Sequence, residues 1–284
     1  MAASRGRRAS RIATLLAVVA AGFGLGFGES TVRYVAWSAV DFFPADFARQ
    51  VRRHHRRYDA GIQRGLNAPP AWRAGPPGQL GEALTSHVMY CAEALRRPIP
   101  LEDLVEEVGV LAVLTLDAND PLAVAHSDPR EPEYSGAYEA YVSSVRGRVR
   151  LVYYGQDRAL LEHRSLTQTV DHAFARSREL YPFVGAEFYR TGVLRNWRQL
   201  DDRSVAFGVA AVSLSRGLTD LANFTAFIWQ RGGGQVPTPV PTPEGHVGET
   251  VTLVPALEGG FPARDRERNG TPMMPPSEIR LPPP

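Results

Sequence analysis

The stretch 108-VGVLAVLTLDANDPLAV-124 reads as an apolar helix that ends on one carboxylate, Asp117. Asn119-Asp120-Pro121 then stops it. A carboxylate belongs near the N-terminal pole of a helix dipole, and Asp117 sits at the other pole. The apolar residues run all round the helix, which implies burial on every side. A buried carboxylate needs a partner. Two local answers exist: Asp117 caps backbone amides of the 118–121 turn, or it pairs with an arginine.

Working outward, helix-like segments recur and strand-like alternation is scarce. Pro44 with Ala45 and Asp46 opens a helix that Gly65 closes. Residues 80–97 carry apolar side chains at helical spacing. Pro100 and an acidic first turn open 101–117. Further helices are expected over 134–145, 166–184 and 204–233. The last is capped by Asp201, Asp202 or Ser204. Arg216, Asp220 and Asn223 argue against its being a membrane span. Its small residues, Ala210, Ala211, Ser213, Ser215 and Gly217, favour close helix packing. The segment 146–155 fits either a helix extension or a short strand. The expected fold class is all-α, with a single multi-helix domain over 27–231.

The ends read differently. Arg5, Arg7, Arg8 and Arg11 precede the uncharged 12-IATLLAVVAAGFGLGFG-28, the layout of an export signal. Residues 1–26 are therefore expected to be a signal peptide, with cleavage before Phe27, or an uncleaved membrane anchor. Residues 12–28 would then carry any membrane association. The body is expected in the periplasm, cell envelope or extracellular space. Residues 232–284 are rich in Pro and Gly and are expected to form a disordered or extended tail, either a spacer or a partner ligand.

The formal charge is +2, so charge implies no nucleic-acid partner. Every basic residue is Arg, a coding bias rather than a chemistry. Arg52, Arg53, Arg56 and Arg57 flank His54 and His55 and are expected to form a solvated helix face. Cys91 has no disulfide partner and reads as a buried, inert thiol. His163 and His172 read as ordinary helix histidines. No phosphate loop, GxSxG elbow or HExxH motif occurs.

In order and spacing, 109-GVLAVLTLDANDPLAV-124 resembles a signature of the zinc-dependent phospholipase C and three-zinc single-strand nuclease superfamily. That signature reads roughly Gly-x-Leu-Ala-His-Tyr-x-x-Asp-x-x-x-Pro-x-His. A His and an Asp four apart share a helix face and can grip a metal. Such zinc ions activate water and neutralise a phosphodiester's developing charge. The opening 27-FGESTV-32 resembles the family's mature N-terminus, and 135-SGAYE-139 resembles its His-x-x-x-Glu helix. The likeness spans about residues 27–230. It implies the superfamily's helical fold.

The departures matter more. Phe27, Val32, Val113, Ala123 and Ser135 stand where the resemblance implies metal ligands, and none can bind zinc as imidazole does. The family's Pro-Asp aligns with Pro69-Pro70. The residual metal candidates are Asp117, Glu139, His87 and His126, a poor set for zinc. Glu139 is otherwise expected to hold a structural bond, for instance to Arg146. The expected catalytic set is none, and no cofactor is expected; zinc is the metal if one is bound.

Three functional readings follow. The first is a non-catalytic, envelope-located protein that binds a lipid or protein partner, with apolar side chains filling the old metal cavity. The second is a metal-dependent phosphodiester hydrolase with a reduced, rebuilt site. The third is a membrane-tethered scaffold working through its Pro-rich tail.

Overall fold

Two buried helices organise the molecule. The computed structural model describes residues 26–68, 73, 77–97, 99–162, 164–236 and 252–253. Residues 1–25 of the expected 1–26 leader, Pro69-Pro70, His163 and most of the Pro-rich tail lie outside the described residues. The helices are α1 (Glu29–Ala39), α2 (Ala45–Arg53), α3 (His55–Leu66), α4 (Pro77–Ala94), α5 (Leu101–Ala118), α6 (Pro121–Val124), α7 (Glu131–Val145), α8 (Arg158–Glu162), α9 (Leu166–Phe188) and α10 (Val205–Arg231). Strand is nearly absent among the described residues, and the fold is all-α.

The stretch 108–124 forms α5 and the short α6. From Val108 to Ala118 every residue of α5 is buried, as the all-round apolar pattern requires. Helices α1, α2, α3, α4, α9 and α10 all pack on it. Its tightest neighbour is α3. A Cβ on Gly61 would lie 1.8 Å from the Glu106 carbonyl oxygen, and one on Gly109 would lie 2.3 Å from that of Tyr58. Glycine at both places lets the two backbones touch. The break before α3 has no proline or glycine behind it. The expected single helix over 44–65 instead divides at His54, whose φ and ψ of −103° and 35° leave the helical region.

The second central helix, α10, is capped by Ser204, whose hydroxyl accepts from the Phe207 amide. It is long and apolar enough to cross a membrane, yet 67% of its most apolar window is buried inside the protein. It packs against α1, α4, α5 and α9. One of its faces acts as a strand edge. Ser215 Oγ, Thr219 Oγ1 and Asn223 Oδ1, four residues apart, accept from the amides of Val152, Tyr154 and Asp157. Those bonds fasten 152–157 along α10, so the ambiguous 146–155 segment gives β1 (Val152–Tyr153) rather than more helix. Its other edge pairs antiparallel with β2 (Thr252–Leu253). Residues 252–253 of the expected Pro-rich tail thus pair with the helical body.

Candidate functional site

Asp117 ends up buried at 0% exposure near the C-terminus of α5. Arg73 answers its charge. Arg73 Nε donates to Asp117 Oδ2 at 2.8 Å, and Nη2 donates to Oδ1 at 3.0 Å. This is the bidentate fork that suits guanidinium to carboxylate. The third arm, Nη1, donates at 3.2 Å to the carbonyl of Leu66, the last residue of α3. A cation at that end meets unpaired helix carbonyls and the negative pole of the dipole. The arginine is itself only 5% exposed.

Two more carboxylates face this guanidinium. Asp120 follows α5 and caps α6, with Oδ1 accepting from the Leu122 amide at 2.9 Å. Half-buried Glu139 comes from α7. Both act on Arg73 through charge. Glu139 therefore faces Arg73 rather than Arg146, whose guanidinium donates to the Ser143 carbonyl.

The chain enters α1 across the same spot. Gly26 takes a left-handed φ of 74°, and a Cβ there would lie 2.0 Å from Asp117 Oδ1 and 3.3 Å from Arg73 Nη2. A Cβ on Gly28, the N-cap of α1, would lie 2.7 Å from Glu139 Oε1. The backbone of residues 26–28 therefore seals a site assembled from α1, α5, α7 and Arg73.

Burial disfavours every charge in this cluster, and the outcomes differ by partner. At Asp117 burial pushes the pKa up to about 6, against the pull of Arg73. Asp120 lacks a bonded arginine. Burial, with Asp117 and Glu139 nearby, pushes it up to about 8 despite the Leu122 amide. Burial also raises Glu139. For Arg73 burial works against the charge, but Asp117, Asp120 and Glu139 outweigh it and push the pKa up. Arg73 thus keeps its charge, while burial favours the protonated form of the carboxylates, most strongly at Asp120.

The remaining expected residues fall into two groups. Phe27, Val32, Val113, Ala123 and Ser135 are all buried. Val113 lies beneath α3, where a Cβ on Gly65 would stand 2.7 Å from its Cγ2. Among the described residues Ser135 Oγ has no hydrogen-bond partner. His87 and His126 are not drawn to Asp117. His87 Nε2 bonds the Glu107 carbonyl at 2.9 Å, and burial lowers its pKa. Glu107 lies ten residues before Asp117 on α5, about 15 Å away at the helical rise. His126 Nδ1 bonds Glu131 Oε1 at 2.9 Å.

These residues do not fit a zinc ion. Both Asp117 oxygens are engaged by one guanidinium, and both candidate histidines are bonded elsewhere. Among the described residues no group of three or more His, Cys, Asp or Glu side chains could hold a metal. The arrangement can hold a guanidinium and, at Asp120, a proton. The basic run at 52–57 is likewise partly neutralised: Arg52 bonds Asp41, and Arg57 bonds Glu106. A groove of about 390 Å³ between α4 and α9 is lined by Glu82, Thr85, Asp171, Phe174 and Arg178 among others, and by none of the candidates.

Sequence reasoning missed Arg73 and Asp120. Asp120 was visible as part of the Asn-Asp-Pro stop, where an N-cap role is natural. Arg73 sits in 68-APPAWRAGPPG-78, where no local pattern distinguishes it. The one signal for it was the buried carboxylate's need for a partner. No protein-family model and no curated protein matches this chain.

Proposed function

We propose that this chain is a non-catalytic, phospholipase C/nuclease-like protein of the cell envelope, acting by binding a lipid or protein partner. The observation that carries the proposal is the Arg73–Asp117 fork. A fixed internal cation occupies the carboxylate that the resemblance makes a metal ligand. The convergence of residues 26–28, Asp117 and Glu139 on that cation supports the kinship, because these are the segments that the family's spacing sets around its metals. Burial of Val32 and Val113 supports the loss of the metal cavity. The export layout of residues 1–28 supports the location.

The guanidinium supplies positive charge without an open coordination position, so it can neutralise Asp117 but cannot activate water as zinc does. The test is metal content of the full-length chain purified from zinc-supplemented medium, with activity on a chromogenic phosphodiester. Substoichiometric zinc and no turnover are expected. A near-stoichiometric zinc load that Asp117→Asn abolishes, with hydrolysis lost in parallel, would establish the hydrolase reading instead.

A further inference from the structure

The end of α9 carries a small, rigid, apolar projection. After Phe188 the chain makes a short excursion and is pinned shut again. The Arg195 amide donates to the Phe188 carbonyl at 2.9 Å, and the Gly192 amide donates to the Tyr189 carbonyl at 2.8 Å. The Arg195 guanidinium bonds buried Glu187. Gly192 takes φ of 81°, a left-handed turn with nothing near its missing Cβ. The turn presents Val193, 67% exposed, and Leu194, 43% exposed, side by side. Phe183, 52% exposed on the last turns of α9, adds a third apolar side chain to this end of the helix.

Cations flank the pair. Arg190 is exposed just before it, and exposed Arg198 lies 4.6 Å over the ring of half-buried Trp197 just after it. Between residues 187 and 204 four arginines stand against Glu187, Asp201 and Asp202; Arg190, at 4.0 Å, and Arg195 share the single carboxylate of Glu187, and Asp202 is paired with Arg148.

We infer that the 190–198 loop seats on an anionic lipid surface, with Val193 and Leu194 entering the acyl boundary and Arg190, Trp197 and Arg198 at the headgroups. An apolar tip supplies burial, arginines supply attraction to acidic lipid, and tryptophan favours the interface. A tip of two aliphatic side chains is too small to be the core of a standard protein–protein interface. The pinned turn presents these groups without an ordering cost on binding. This inference deepens the binding reading above by naming the partner surface. It stands on different residues, so the vesicle result and the zinc result can fail separately.

The experiment uses the full-length chain with a polarity-sensitive fluorophore on Leu194→Cys. Cys91 is buried and does not compete for the label. The control carries the label on Arg49→Cys, on the exposed face of α2. Both are mixed with phosphatidylcholine vesicles, with and without phosphatidylglycerol, that contain lipid-borne nitroxide quenchers. Label depth reports the loop whether or not residues 12–28 also hold the chain to the vesicle. The expected result is a blue shift and quenching at position 194 but not at 49, dependent on phosphatidylglycerol. Arg190→Gln and Arg198→Gln should each weaken that dependence by about fivefold. A label at 194 that stays in water on anionic vesicles overturns the inference, as does insertion indifferent to phosphatidylglycerol.

Discussion

The Arg73 guanidinium and the Asp117 carboxylate meet through two parallel bonds of 2.8 and 3.0 Å, and Asp117 is wholly buried. This pair answers the electrostatic puzzle of α5. The helix dipole opposes a carboxylate at its C-terminal end, so the compensating charge has to come from elsewhere in the chain. It also ties Arg73 to the core helix. Such a pair specifies an arrangement more securely than it adds stability, because both ions lose their hydration.

Removing one partner should therefore cost more than removing both. Arg73→Met leaves Asp117 buried without its cation and is expected to lose about 3–5 kcal/mol at pH 8. Arg73→Met combined with Asp117→Leu should recover most of that loss. Urea unfolding of the two single variants and the double variant gives the coupling energy. Additive losses would show that the fork contributes no specific interaction.

The stability contributed by Asp120 should fall as pH rises from acid to mildly alkaline. Asp120 is pushed up to about 8 in the folded state from an ordinary value of 3.8, so the folded chain holds its proton more tightly than the unfolded one. Its contribution is fully present below about pH 4 and is lost as pH rises through about 8. Asp117, at about 6, acts in the same direction. The slope from one such group is at most about 1.4 kcal/mol per pH unit. Asp120→Asn keeps an N-cap acceptor for the Leu122 amide and should flatten the curve between pH 6 and 8. Urea midpoints across that range check it, and an unchanged slope would place the titration elsewhere.

Glycines of the α3–α5 crossing should not tolerate a methyl group. Gly61→Ala drives a Cβ against the Glu106 carbonyl, and Gly109→Ala drives one against that of Tyr58. Each is expected to cost about 1–3 kcal/mol or more, since the backbones must separate. Gly136→Ala in α7 and Gly208→Ala in α10 meet open space and should instead gain about 0.5–1 kcal/mol. Thermal unfolding of the four variants separates close packing from simple helix propensity.

Cys91 should be chemically silent in the folded protein. It is buried on α4, and burial pushes its thiol pKa well above the ordinary value. Iodoacetamide is expected to leave it unmodified in native buffer and to alkylate it fully in denaturant. Mass spectrometry reads both states, and rapid native labelling would mean that α4 opens.

The amino-acid sequence by itself determined the all-α class and the burial of the two central helices. The run 108–118, apolar but for Thr115 and Asp117, requires a core helix, the cap at Ser204 acts within three residues, and the apolar 205–228 region carries polar residues that mark a protein interior. All of that is local periodicity and local hydrogen bonding, which a reader can follow along the chain. Tertiary structure alone decided the rest. The partner of Asp117 is 44 residues away, in a proline-rich stretch with no pattern of its own. Residues 152–157 lie along α10 because Ser215, Thr219 and Asn223 on that helix offer acceptors at the right spacing. His87 and His126, plausible ligands in one dimension, are claimed by Glu107 and Glu131 in three. A buried charge states only that some partner must exist; which residue fills the role depends on how the helices pack.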